Sequence, residues 1–163
     1  ALSPEGIRRL DQDQLAKLVY PSGYYNAKAR KLKALVEYLG TRFNDDLDRM
    51  SEVDTASLRS ELLDVYGIGE ETADDILLYA LGKPAFVIDS YTRRVFYRLR
   101  LARGKGPYST YQALFEDNLP ADPPLFNEFH ALIDHHSSKV CRPKPLCEEC
   151  CLLDICPTGL GAA

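Results

Sequence analysis

Apolar positions recur at helical spacing along most of the chain. After Asn26, the residues Leu32, Leu35, Val36 and Leu39 fall at i, i+3, i+4 and i+7, and Ala73, Ile76, Leu77 and Ala80 repeat the pattern before a stop at Gly82. Such spacing gathers the apolar side chains on one helical face, so two amphipathic helices are expected. Between them the polar, acidic stretch from Asn44 to Asp54 reads as a loop. Thr55 sits where an N-cap would open a short helix carrying Leu58, Leu62 and Leu63 and ending at Gly67. The run Pro84-Ala85-Phe86-Val87-Ile88 is too short for a sheet without partners, and no second strand-like run can pair with it. It reads as a buried linker. Asp89-Ser90 then opens a helix with Val95, Phe96 and Leu99 inward, and further helices are expected over Tyr108 to Leu119 and Leu125 to Ser138. The expected fold class is all-α, with one helical lobe over 1–83 and a second over 84–163. There is no repeat at solenoid periods and no low-complexity tract.

Composition narrows the class. With 163 residues, 45% hydrophobic and 27% charged, the chain fits one compact unit or two small lobes sharing a core. No run approaches the roughly 18 apolar residues of a membrane span, and the start Ala1-Leu2-Ser3-Pro4-Glu5-Gly6 lacks the pattern of a secretion signal. A cytoplasmic, nucleoid-associated monomer with no membrane partner is expected. The only methionine is Met50, so a segment is expected to precede Ala1. The 20 Lys and Arg against 24 Asp and Glu leave a net charge of −4, so any nucleic-acid role depends on how charge is distributed.

Four stretches carry candidate chemistry. In Leu62-Leu63-Asp64-Val65-Tyr66-Gly67-Ile68-Gly69-Glu70-Glu71-Thr72-Ala73, two helical segments are joined by Gly-Ile-Gly. Two glycines one residue apart allow a hairpin too tight for side chains, and the N–H groups that open the next helix can meet a phosphate. Gly-x-Gly alone fits an ordinary αα-turn; the apolar residue between the glycines and the Thr-Ala after them favour binding of the DNA backbone through Gly67, Ile68, Gly69 and Thr72. Arg93, Arg94, Arg98, Arg100, Arg103 and Lys105 lie in a stretch with no acidic residue from Ser90 through Phe115, interleaved with tyrosines. The run reads equally as a solvated surface or a phosphate contact, and the hairpin tips it toward DNA. Asp89, at a helix mouth after an apolar run, is an N-cap by position; capping also fixes a carboxylate rigidly, as an oxocarbenium-like reaction requires. The two roles are compatible.

All five cysteines lie between Cys141 and Cys156, with the spacing Cys141-x5-Cys147-x2-Cys150-x5-Cys156 and Cys151 left over. So dense a group cannot staple distant parts of a secreted fold, but it can wrap one metal centre. Four thiolates suit tetrahedral zinc or a [4Fe–4S] cluster; a single C-x2-C knuckle, where zinc sites usually have two, favours iron–sulfur. Cys151 reads as a free buried thiol. Lys139, Arg142 and Lys144 set cations beside this loop, while His130, His135 and His136 fit packing and surface hydrogen bonds at least as well as metal ligation.

Taken together, Gly67-Ile68-Gly69, Thr72-Ala73, Val87-Ile88-Asp89 sixteen residues after Ala73 and the four-cysteine loop resemble the endonuclease III (HhH-GPD) superfamily of DNA glycosylases, from about Tyr20 to Cys156. The resemblance implies a two-lobed helical base-excision-repair enzyme. It would bind double-stranded DNA containing a damaged base, flip the nucleotide out and break its N-glycosidic bond. It also implies that Asp89 is the catalytic aspartate and that Cys141, Cys147, Cys150 and Cys156 hold a structural cluster, although the first cysteine gap is one residue shorter than in endonuclease III. At Glu71 that enzyme carries its nucleophilic lysine. A glutamate cannot form the Schiff base of strand cleavage, so hydrolysis without lyase activity is expected. The segments Pro21 to Ala29 and Gly67 to Asp74 are similar to the 3-methyladenine (methylpurine) branch. A cationic alkylated purine would need stacking and negative potential, for which Tyr24, Tyr25, Tyr66 and Glu71 are the candidates, although core packing also explains each tyrosine. The alternatives are an oxidised-pyrimidine or mismatch glycosylase and a non-catalytic DNA-binding module with iron–sulfur or zinc. The resemblance also implies helices before the present start that contribute a polar side chain filling the gap left by the flipped base, an element expected either to lie outside this sequence or to be absent.

Overall fold

A computed structural model describes residues 3–161. Among the described residues there are nine α-helices and no strand, the all-α class that the periodicity predicts. They are α1 (Pro4–Arg9), α2 (Gln12–Leu18), α3 (Tyr25–Phe43), α4 (Leu47–Glu52), α5 (Thr55–Asp64), α6 (Glu70–Asp75), α7 (Ser90–Arg98), α8 (Tyr108–Glu116) and α9 (Pro123–Lys139). α6 runs directly into a π-helical turn, Ile76–Ala80. Two compact units divide between Ala73 and Asp74. The division falls ahead of the 83/84 position read from the sequence, because Asp74 is fully buried on Gln112, and Leu78 packs into the core of the second unit.

In the first unit α3 packs against α1 and α2 over Leu15, Ala16 and Ala29, with Ile7, Leu10, Val19, Tyr25 and Leu32 around them. Glu61 of α5 accepts hydrogen bonds from the Tyr38 hydroxyl at 2.9 Å and from Arg42 Nε at 3.0 Å, tying α5 to α3. Two local expectations are corrected. The stretch 44–54 is not all loop: the Asp46 carboxylate accepts from the Asp48 and Arg49 amides and opens α4, which buries Met50. The cap of α5 is Asp54, which accepts from Ser57 N at 3.0 Å, and Thr55 is the first helical residue.

In the second unit the linker 84–88 runs through the core. Phe86 stacks on Phe115 at 3.6 Å, and Val87, Ile88, Val95, Tyr111, Phe126 and Ile133 close around it. Side chains satisfy its backbone, so it needs no strand partner: Phe86 N donates to Glu116, Ile88 N donates to the Tyr108 hydroxyl, and Phe86 O accepts from Gln112. Its buried end delivers Asp89 to the start of α7, which packs along α9. No helix among the described residues is long and apolar enough to cross a membrane.

Candidate active site and cysteine loop

The hairpin lies in the first unit. After α5, Val65 N and Ile68 N bond back to Leu62 O and Val65 O, and Gly67 adopts φ +84°, a conformation that favours glycine. A Cβ there would lie 2.3 Å from Lys31 Cγ, so Gly67 is required both by backbone and by space. Gly69 is different: a Cβ would meet nothing within 4 Å, which corrects the expectation that both glycines answer to crowding. Its backbone faces open space, and Ile68 between the two glycines is buried. Glu71 and Thr72 are exposed on the first turn of α6. Beside the hairpin is a groove lined by Val19, Pro21, Lys28, Lys31, Leu32 and Thr72, among others. Its two lysines escaped the sequence reading, since a cation on an amphipathic helix looks like any solvated one. Tyr24 is 89% and Tyr66 58% exposed, while Tyr25 is half-buried against Tyr20 at 4.9 Å. None of Tyr24, Tyr25 and Tyr66 lines the groove.

In the second unit Asp89 caps α7, its Oδ1 accepting from Thr92 N at 2.7 Å. His130 of α9 brings Nε2 to 3.9 Å from the same oxygen. Burial pushes the Asp89 carboxyl up, but His130 and Thr92 outweigh it and hold the group below the usual aspartate range. Thr92 N and His130 Nε2 thus both address the same carboxylate oxygen, one from its own helix and one from α9. The Tyr79 hydroxyl lies in hydrogen-bond contact with His130 Nδ1. Neighbouring Asp75 is half-buried and titrates high, chiefly from burial, with Asp89 and Asp74 adding like charge. Tyr79, His130 and Asp75 were invisible as a group in the sequence, because 51 residues separate the tyrosine from the histidine.

The arginines of α7 turn inward. Arg93 donates to Gly106 O at 2.9 Å and lies over the Tyr111 ring, and Arg94 donates to Cys141 O and Ser137 O. Arg98 reaches furthest into the cysteine loop: it donates to the carbonyls of Cys141, Arg142 and Pro143 and lies 3.2 Å from Cys141 Sγ, while Thr158 donates back to Arg98 O. The basic run therefore anchors the loop. Arg103 and Lys105, together with Lys139, Arg142 and Lys144 near the cysteines, are exposed.

Cys141, Cys147, Cys150 and Cys156 line one cavity with Val140, Leu146 and Leu153; Cys151 lies outside it and is exposed, which corrects the expectation of a buried thiol, since its side chain turns away from the cavity lining. A single tetrahedral zinc would draw four sulfurs to about 3.8 Å of one another. Four thiols around one apolar cavity are a donor set that suits a sulfur-ligated metal centre of either kind, zinc or iron–sulfur.

The HhH-GPD superfamily base excision DNA repair protein family matches residues 1–121. A provisionally named DNA repair glycosylase of Methanocaldococcus jannaschii is 42% identical over 151 residues, 92% of this chain and 69% of its own. Endonuclease III of Sulfolobus acidocaldarius is 32% identical over 156 residues, 95% of this chain and 67% of its own. The solved structure of H. pylori 3-methyladenine DNA glycosylase bound to 1,N6-ethenoadenine superposes with a TM-score of 0.69 at 30% identity, covering 83% of this chain and 67% of that one. The chain belongs to the HhH-GPD superfamily of base excision DNA repair proteins. Its class of activity is that of a DNA glycosylase.

Proposed function

We propose that this protein is a monofunctional glycosylase that hydrolyses the N-glycosidic bond of an alkylated purine, such as 3-methyladenine, in double-stranded DNA. The observation that carries the reading is Asp89: a carboxylate clamped by a helix cap, faced by His130 and held below the usual aspartate range. As the bond between C1′ and the base nitrogen lengthens, positive charge grows on the sugar, and a fixed anion stabilises it more than the ground state. Asp89 also accepts a proton from the water that attacks C1′, while the departing alkylated purine takes the bonding electrons and neutralises its own positive charge. Such a leaving group needs no strong general acid. Glu71, at the position of the nucleophilic lysine in endonuclease III, supports hydrolysis without a Schiff base. The likeness to a 3-methyladenine glycosylase at 30% identity supports the substrate class. Tyr24, Tyr25 and Tyr66 are proposed to stack on the base, and Gly67 to Gly69, Thr72, Lys139, Arg142 and Lys144 to contact the DNA backbone; Arg93 and Arg94 contribute by bracing α7. A [4Fe–4S] cluster on Cys141, Cys147, Cys150 and Cys156 would hold the loop in shape and takes no part in bond cleavage. The protein is proposed to act as an intracellular monomer.

The test is a panel of methylated, oxidised and deaminated duplexes, assayed with and without alkali. Strand breaks from methylpurine DNA only after alkali are expected. A complex trapped by borohydride would overturn hydrolysis without lyase chemistry, and preference for oxidised pyrimidines would support the second reading, which the 32% identity to an endonuclease III favours. Protein that is yellow-brown carries the cluster; colourless, zinc-loaded protein would refute it.

A further inference from the structure

Asp89 is engaged from two sides, and only one of them is explained by helix capping. The Thr92 amide satisfies the cap. His130 comes from α9, a different helix, and its Nε2 is buried with no hydrogen-bond partner while pointing within 3.9 Å of Asp89 Oδ1. Its ring is walled by Phe86, edge-on at 89° and fully buried. Its other nitrogen is taken by the Tyr79 hydroxyl.

A phenol is a donor at neutral pH, so the Tyr79 contact assigns an acceptor lone pair to Nδ1 and the ring proton to Nε2. The opposite tautomer would set a bare lone pair against a carboxylate. Tyr79 stands on the π-helical turn at Ile76–Ala80, a wider turn than the α-helix before it and of a kind frequent at functional sites. A buried, unsatisfied N–H aimed at an anion about 0.7 Å beyond hydrogen-bond range is a bond that a small closure completes, as catalytic contacts often do when substrate binds.

We infer that Tyr79 and His130 form a positioning pair that fixes the rotation of the Asp89 carboxylate and keeps it ionised through the directed Nε2–H. Asp75 on α6 faces both His130 and Asp89, with Asp74 beside it, and Tyr79 on the π turn faces Asp89, with Asp75 and Asp134 near the phenol. Asp75 and Asp89 are like charges, so without the histidine their repulsion favours protonation within the pair. The inference rests on Asp89 being the reacting carboxylate.

The test uses the whole chain on a duplex with a single methylated purine. His130→Leu should lower the single-turnover rate of base release about 10- to 100-fold, by analogy with the loss of outer-shell partners elsewhere, with duplex affinity unchanged within a factor of about two. Its acid limb should move to higher pH. His130→Gln, which keeps an N–H donor, should recover part of the rate, and Tyr79→Phe should lose less than His130→Leu. A second readout needs no turnover: the carboxyl carbon of Asp89, followed by NMR, should titrate at higher pH in His130→Leu. If His130→Leu keeps the wild-type rate and Asp89 titration while Asp89→Asn is inactive, the positioning pair is refuted and the role of Asp89 stands. If Asp89→Asn is as fast as wild type, the reading of Asp89 falls instead. If His130→Leu and His130→Gln lose rate equally with unchanged Asp89 titration, the histidine only packs and the inference falls.

Discussion

Asp89 caps α7 and is the proposed reacting carboxylate, and substitution separates the two roles. Asparagine caps a helix about as well as aspartate, whereas alanine loses about 1 kcal/mol at such a position. At neutral pH Asp89→Ala, which loses both cap and charge, should therefore lower the melting temperature more than Asp89→Asn, which loses only the charge; equal losses would show that the cap adds nothing to α7. Because its folded-state pKa lies below the ordinary value, the carboxylate stabilises the fold above about pH 4 and that contribution disappears as pH falls through the depressed value. The acid limb of base release, so far as Asp89 sets it, should lie below about pH 4. The hairpin glycines separate in the same way. Gly67→Ala meets both a positive φ and the Lys31 side chain and should destabilise by about 1 kcal/mol or more. Gly69→Ala has open space, so its stability should barely change while a new methyl group stands between backbone and phosphate. Denaturant melts paired with duplex affinities would check this; a stability loss at Gly69 matching that at Gly67 would contradict it.

At the scale of elements, α7 joins two sites. Its first residue follows Asp89, and its last, Arg98, grips the loop that carries the cysteines. Arg98→Ala should loosen that loop, so visible absorbance should decay faster under air or chelator while the helical circular dichroism persists. Unchanged decay would show the loop to be held by its own turns. The bond from Glu61 to Arg42 and Tyr38 has a simpler signature. Arg42 above all holds Glu61 below its ordinary range, so the link is complete above about pH 4.5 and lost as pH falls through the lower folded value. The stability gap between wild type and Glu61→Gln should close over that acid window. Elements with strong apolar periodicity, α3, α7 and α9, were legible in the sequence, and so was the absence of any partner strand for 84–88. α4 was not, because its residues Leu47-Asp48-Arg49-Met50-Ser51-Glu52 offer one buried side chain and much charge. Nor was the π turn, whose sequence Ile76-Leu77-Leu78-Tyr79-Ala80 reads as ordinary helix.

Across the whole molecule, an acidic chain with a net charge of −4 belongs to a family that acts on DNA. Main-chain donors of the kind a helical hairpin offers bind phosphate without net positive charge, as the proposed contacts at the hairpin require. The arginine run looked in sequence like free cations and is largely engaged with carbonyls, a use that depends on contacts 43 to 47 residues away and leaves no periodic trace. The capping position of Asp89 and the gathering of four cysteines at one cavity, by contrast, were legible because local spacing marks them. The supporting Tyr79 and His130 required the fold. Asp89 is also where the account can be tested most directly: single-turnover release of 3-methyladenine from duplex DNA by wild type and Asp89→Asn. Wild-type release, with a loss of orders of magnitude in the variant and duplex affinity retained, is the expected result; equal rates in the two proteins would contradict the assignment of the chemistry to Asp89.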